Sequence, residues 1–184
     1  MIAGAALALA AGTTTVLSGT LSEVPSFGAN PGNLKMFKYV PERLRDPAPL
    51  VVVLHGCNQT AGGYFDRSGW AKYADRHGFA LLLPEQKSQN HQMSCFNFAE
   101  RGDSQRESGE ALSIKQMIDK MKDQTRIDTA QIFVTGLSAG GGMTAVMLAT
   151  YPDVFAGGAI IAGLPYRCGT SMLTALTECG ISLP

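Results

Sequence analysis

The sequence predicts an α/β fold: a parallel sheet with helices on both faces. Three observations lead there. "LVVVLHG" at 50–56 and "FALLLPE" at 79–85 are continuously apolar, as strands covered on both faces must be. The segments between strands carry apolar residues at helical spacing. Residues 130–150, "AQIFVTGLSAGGGMTAVMLAT", read in direct succession as a short buried strand, a glycine-rich turn and a run of good helix formers.

Taken in order, "LKMFKYVP" at 34–41 alternates polar and apolar residues and predicts an edge or half-buried strand, followed by a turn at "RDPAP". The strand at 50–56 comes next. "SGWAKYADRHG" at 68–78 predicts a short helix capped by Ser68, with Trp70, Tyr73 and Ala74 on one face and Gly78 as terminator. The strand at 79–85 leads into a polar loop from 86 to about 104. "GEALSIKQMIDKMKD" sets Ile114, Met117, Ile118 and Met121 at helical spacing, a core face. The strand ending at Gly136 and the helix stopping before Pro152 follow, and "FAGGAIIAG" at 155–163 predicts one more buried strand.

A chain of 184 residues is one domain by length, with 45% hydrophobic residues and a formal net charge of zero. No basic patch is present, so nucleic acid and anionic membrane surfaces are not expected partners. Residues 1–19, "MIAGAALALAAGTTTVLSG", are uncharged, small and apolar. They read as a signal-peptide remnant lacking the usual basic start, and are too short and small-sided for a membrane span. An N-terminal helix or tail is the alternative. The cysteines, Cys57, Cys95, Cys168 and Cys179, are even in number and show no C-x-x-C spacing. In an exported chain they can pair in three ways, and in a cytosolic one they would be buried thiols.

The turn at 135–142, "TGLSAGGG", fits G-x-S-x-G with Gly136, Ser138 and Gly140. Between a strand and a helix, this motif sets the serine on a sharp turn above the sheet, with the helix amides and dipole facing any negative charge that develops there. A phosphate loop is excluded because no lysine follows the glycines, and the G-x-G-x-x-G dinucleotide order is absent. The motif narrows the fold to an α/β-hydrolase type. Ser138 is then the candidate nucleophile, and the amide of Ala139 one oxyanion donor. "LHGCNQ" at 54–59 leaves the sheet at Gly56 and makes the Cys57 amide the candidate second donor.

The ordered set "PLVVVLHGCNQTA", "LLLPEQ", "CFNF", "GEALSI", "VTGLSAGGGM" and "YPDVFAGGAIIAGLPY" resembles the poly(3-hydroxybutyrate) depolymerase family of secreted carboxylesterases, with feruloyl and acetylxylan esterases among its relatives. The resemblance runs from about Ser26 to the C-terminus. It implies a Ser-His-Asp triad, no metal or cofactor, an extracellular or periplasmic location, and hydrolysis of esters in a polyester or a substituted polysaccharide. It implies Ser138 as nucleophile and Cys57 and Ala139 as oxyanion donors. It also favours the pairs Cys57–Cys95 and Cys168–Cys179, the first holding the oxyanion loop, with Cα atoms roughly 4.4–6.8 Å apart.

The triad cannot be completed from the sequence. The order in such folds is Ser, acid, His, yet the histidines are His55, His77 and His91, and the carboxylates after Ser138 are Asp153 and Glu178. Residues 26–184 are therefore expected to form the N-terminal part of an α/β-hydrolase domain, incomplete at the C-terminus. The alternative is a non-catalytic module that keeps the turn and the loop. His55 is expected to order the oxyanion loop, His77 to sit at a helix end, His91 to be exposed, and Asp153 to lie on the surface. Trp70, Phe96 and Phe98 read as core, with a substrate groove as the alternative. Arg101, Asp103, Arg106, Glu107 and Glu110 read as a solvated mixed-charge cluster.

Overall fold

A computed structural model describes residues 19–179. The chain runs β1 (Ser22–Val24), β2 (Lys35–Tyr39), β3 (Ala48–Leu54), α1 (Ala61–Ser68), α2 (Trp70–His77), β4 (Ala80–Glu85), α3 (Gly109–Gln124), β5 (Ile127–Leu137), α4 (Ala139–Thr150), β6 (Gly157–Ile161) and α5 (Met172–Glu178). Among the described residues these strands form a six-stranded sheet in the order β1-β2-β4-β3-β5-β6. β4, β3, β5 and β6 are parallel as expected, but β2 pairs antiparallel with both β1 and β4, so the sheet is mixed.

β3 is buried at all seven residues, and its alternating side chains feed two cores. Leu50, Val52 and Leu54 pack in one layer with Ile114, Met117, Met143 and Met147 from α3 and α4. Val51 and Val53 join Leu81 and Leu83 in the other layer, with Ala61, Tyr64 and Ala74 of α1 and α2. Helices thus cover both faces. The four apolar positions expected on α3, Ile114, Met117, Ile118 and Met121, are all fully buried. Among the described residues no helix is long and apolar enough to cross a membrane.

Several expectations need correction. Ser68 ends α1 rather than capping α2, whose N-cap is Gly69 in the left-handed conformation. α1 itself is capped by the Thr60 side chain, which accepts from the Gly63 amide. Tyr73 is half exposed and stacks on His77, whereas Ala74 alone of the expected face is fully buried. β6, read as a buried strand, pairs with β5 alone among the described residues and leaves Ile160 and Ile161 each 47% exposed. Of the mixed-charge segment, Arg101, Arg106 and Glu107 are exposed as expected and Asp103 is half buried, but Glu110 is fully buried, an exception to the solvated face.

Both disulfides form the expected pairs. Cys57 and Cys95 are joined with Cα atoms 4.2 Å apart, marginally closer than expected, and Cys168 and Cys179 are joined at 5.8 Å. The signal-like segment at 1–18 lies outside the described residues.

Candidate active site

The site follows from the register of two strands. β3 and β5 are parallel neighbours, and Leu54 pairs with Gly136. The residues that follow each strand, His55 to Asn58 and Leu137 to Ala139, therefore leave the same edge of the sheet side by side.

At the end of β5, Ser138 has φ 55° and ψ −118°, a backbone that an L-residue holds only under strain. Two hydrogen bonds impose it: the Ser138 amide donates to the Ile161 carbonyl at 2.9 Å, and the Ser138 carbonyl accepts from Gly142 at 2.9 Å. The first fixes the serine against β6, and the second starts α4. Glycine is required beside it, because a Cβ on Gly140 would stand 2.5 Å from the His55 carbonyl oxygen and one on Gly136 would stand 2.9 Å from Leu54 Cβ. The close approach of the turn to the chain at Leu54 and His55 is possible only without those side chains.

Ser138 is exposed, and with Cys57 and Ala139 it lines a cavity of about 120 Å³. Phe98, Met93 and Leu164 supply its apolar wall. Among the described residues, neither the Cys57 nor the Ala139 amide donates a hydrogen bond. Ala139 is the first residue of α4, where helix geometry leaves the amide without a partner and the dipole is positive.

The Gly56–Cys57 peptide is held from three sides. Gln59 Oε1 accepts from the Gly56 amide at 2.7 Å. His55 Nδ1 stands 2.8 Å from the Gly56 carbonyl oxygen, and His55 Nε2 accepts from the Gln86 amide at 3.1 Å. Because Nε2 accepts, the hydrogen-bond network assigns the proton to Nδ1, which donates to Gly56. Burial holds His55 below the ordinary value of 6.5, against smaller raising effects from the Gly56 bond and the Glu85 charge. The ring is a neutral clamp. Since a trans peptide is planar, a fixed Gly56 carbonyl also fixes the direction of the Cys57 N–H on the opposite side of the same bond. The disulfide to Cys95 supplies the third restraint.

No described histidine hydrogen-bonds Ser138. His77 is exposed at the end of α2, and His91 is half buried, its Nδ1 accepting from the Met93 and Cys95 amides at 3.2 and 3.4 Å, so it is a loop clamp rather than a free surface group. Asp153 is exposed and takes a two-pronged bond from Arg106 at 2.6 and 3.0 Å. That hydrogen bond holds its carboxyl at about 2. Glu178 is exposed at the end of α5. Trp70 packs on Phe79 in the opposite layer, Phe96 is buried against the His55 ring at 4.9 Å, and Phe98 is the one of the three that reaches the cavity. Among the described residues no group of three His, Cys, Asp or Glu is gathered closely enough to hold a metal ion. The sequence reading missed Gln59, Gln86 and Met93. Polar or flexible residues in an irregular loop carry no periodic signal; Gln59 bonds Gly56 from three residues away, while only the fold brings Gln86 to His55 and Met93 to the Ser138 cavity.

The family model described as esterase PHB depolymerase matches residues 36–179. The chain belongs to this family. It is 52% identical to poly(3-hydroxyalkanoate) depolymerase C of Paucimonas lemoignei over 96% of this chain and 42% of that protein. It is 33% identical to feruloyl esterase B of Thermothelomyces thermophilus over 95% of this chain and 60% of that protein. The solved acetyl xylan esterase from Aspergillus awamori superposes with a TM-score of 0.79 at 32% identity, covering 85% of this chain and 56% of that one. The fold is thus that of family esterases, and the chain spans about half the length of the curated relatives it matches.

Proposed function

We propose that the chain carries the nucleophile and oxyanion hole of a secreted serine carboxylesterase. Its substrate is a polyester such as poly(3-hydroxybutyrate) or a polysaccharide bearing ester groups. The single observation that carries this reading is the strained Ser138 at the head of α4, sharing one cavity with Cys57 and Ala139. Ser138 Oγ attacks the ester carbonyl, the amides of Cys57 and Ala139 hold the resulting oxyanion, and the alcohol leaves with a proton. Water then releases the acid from the acyl-serine. Names of the relatives support the substrate class, and two disulfides support an oxidising compartment outside the cytosol.

The reading also limits the 184 residues taken alone. A serine without its base loses orders of magnitude in rate, while oxyanion hole and binding retain only about 10³–10⁴-fold over water. No histidine follows Ser138, and His55 spends both ring nitrogens on backbone groups.

The test compares the 184-residue chain with a chimera joining it to the C-terminal half of the Paucimonas relative. On p-nitrophenyl butyrate the chain alone is expected to run barely above buffer. The chimera is expected to turn over in a manner lost on Ser138→Ala. A folded but inert chimera favours the non-catalytic module, and full turnover by the chain alone, abolished by His55→Ala, makes His55 the base.

A further inference from the structure

Beneath the oxyanion loop lies a carboxyl group that the proposed chemistry does not use. Glu110, second residue of α3, is fully buried. Its Oε1 accepts from Gln86 Nε2, and its Oε2 accepts from the Asn97 amide at 2.9 Å. Its own amide donates to Asp103 Oδ1 at 3.1 Å, which ties the start of the helix to the preceding loop.

Two arms run from this carboxyl and both end at Cys57. In the first, Gln86 is gripped by its side chain, and its backbone amide sets the His55 tautomer that clamps the Gly56 carbonyl. In the second, Gln86 Nε2 also donates to the Cys95 carbonyl at 3.1 Å while Glu110 holds Asn97, so residues 95–97 are pinned on either side of Phe96. Cys95 carries the disulfide to Cys57, and Phe96 lies against the His55 ring. We infer that Glu110 is a positioning residue for the oxyanion hole, fixing the Gly56–Cys57 peptide through Gln86 on one side and the Cys95–Asn97 segment on the other. The inference rests on the reading of Cys57 as an oxyanion donor.

A carboxyl group is needed here because both partners are donors. Each of its oxygens keeps a lone pair that can accept, in the acid as in the carboxylate, whereas an amide of the same shape accepts at one atom only and sets an N–H against a second N–H. Glu110→Gln therefore leaves one buried donor unpaired with little change in volume.

The test is local hydrogen exchange in the full 184-residue chain, wild type and E110Q, followed by mass spectrometry. The expected result is exchange at least about tenfold faster in peptides covering 56–58 and 95–97, with the α4 peptide covering 143–150 changed by less than about twofold. Unchanged exchange at 56–58 overturns the inference, because the carboxyl then fails to reach the oxyanion peptide. Equal acceleration everywhere, α4 included, also overturns it, because Glu110 then merely supports the fold. Glu110→Asp serves as the conservative variant and is expected to restore part of the protection at 95–97. Exchange is read without turnover, so a chain that never esterifies Ser138 still decides this question, and loss of the esterase reading is seen separately in the p-nitrophenyl butyrate assay.

Discussion

The backbone of Ser138 stores strain at the one residue whose hydroxyl must project above the sheet. A non-glycine residue at φ 55° and ψ −118° costs of order 1–3 kcal/mol, held here by the bonds to Ile161 and Gly142. Ser138→Gly and Ser138→Ala should therefore part company. Both remove the proposed nucleophile, but glycine relieves the strain and alanine keeps it, so in urea the glycine variant should be more stable than the alanine variant by about 1 kcal/mol. An alanine variant equal to or more stable than glycine would mean the serine is unstrained. Glu110 gives a second expectation at this scale. Burial first, then the Asp103 charge, push its carboxyl up to about 8, with the Asn97 and Gln86 bonds opposing. The folded state keeps a proton that the unfolded chain releases near 4.5, so this contribution to stability is whole below that pH and is lost as pH rises through 8. Thermal melting from pH 5 to 9 should fall in wild type and flatten in E110Q; parallel curves would contradict the shift.

At the scale of elements, what the sequence made legible was whatever periodicity or a continuous apolar run could encode. Strands β3 and β4 and the buried face of α3 declare themselves because several side chains act together. α1 did not, since Gly62 and Gly63 are poor helix formers and only Thr60 marks its start. Among the described residues β6 pairs with β5 alone, so its apolar run is half exposed here. Of the site, Ser138 and its glycines were readable from local spacing; Gln59 lies three residues from Gly56 but in an irregular loop without a periodic signal, while the contacts of Gln86 with His55 and Glu110 join segments 31 and 24 residues apart. The exposed isoleucines of β6 also predict behaviour. A flat apolar edge invites pairing between molecules, and a charge blunts it. Ile160→Lys should reduce concentration-dependent association in light scattering without loss of helical circular dichroism. Association unchanged by the substitution would remove β6 as its source.

For the whole molecule, the Cys57–Cys95 bond does two things at once. It closes a 38-residue separation, which restricts the unfolded chain and is worth roughly 2–4 kcal/mol, and it tethers the oxyanion loop to the 95–97 segment. Replacing both cysteines by serine should lower the unfolding free energy measured in urea by that amount, and with it the midpoint, without altering the secondary structure. A midpoint that does not move would show that the loop is held without the bond. The sheet register, the glycines, the His55 clamp and this disulfide all support the proposal that the amides of Cys57 and Ala139 face an oxyanion on Ser138.

The measurement that addresses that claim most directly is the crystal structure of the Ser138 adduct formed by a fluorophosphonate. The phosphoryl oxygen should lie about 2.7–3.1 Å from both the Cys57 and the Ala139 amide nitrogens. An adduct on Ser138 whose oxygen points to solvent, with the Cys57 amide turned away, would contradict the account.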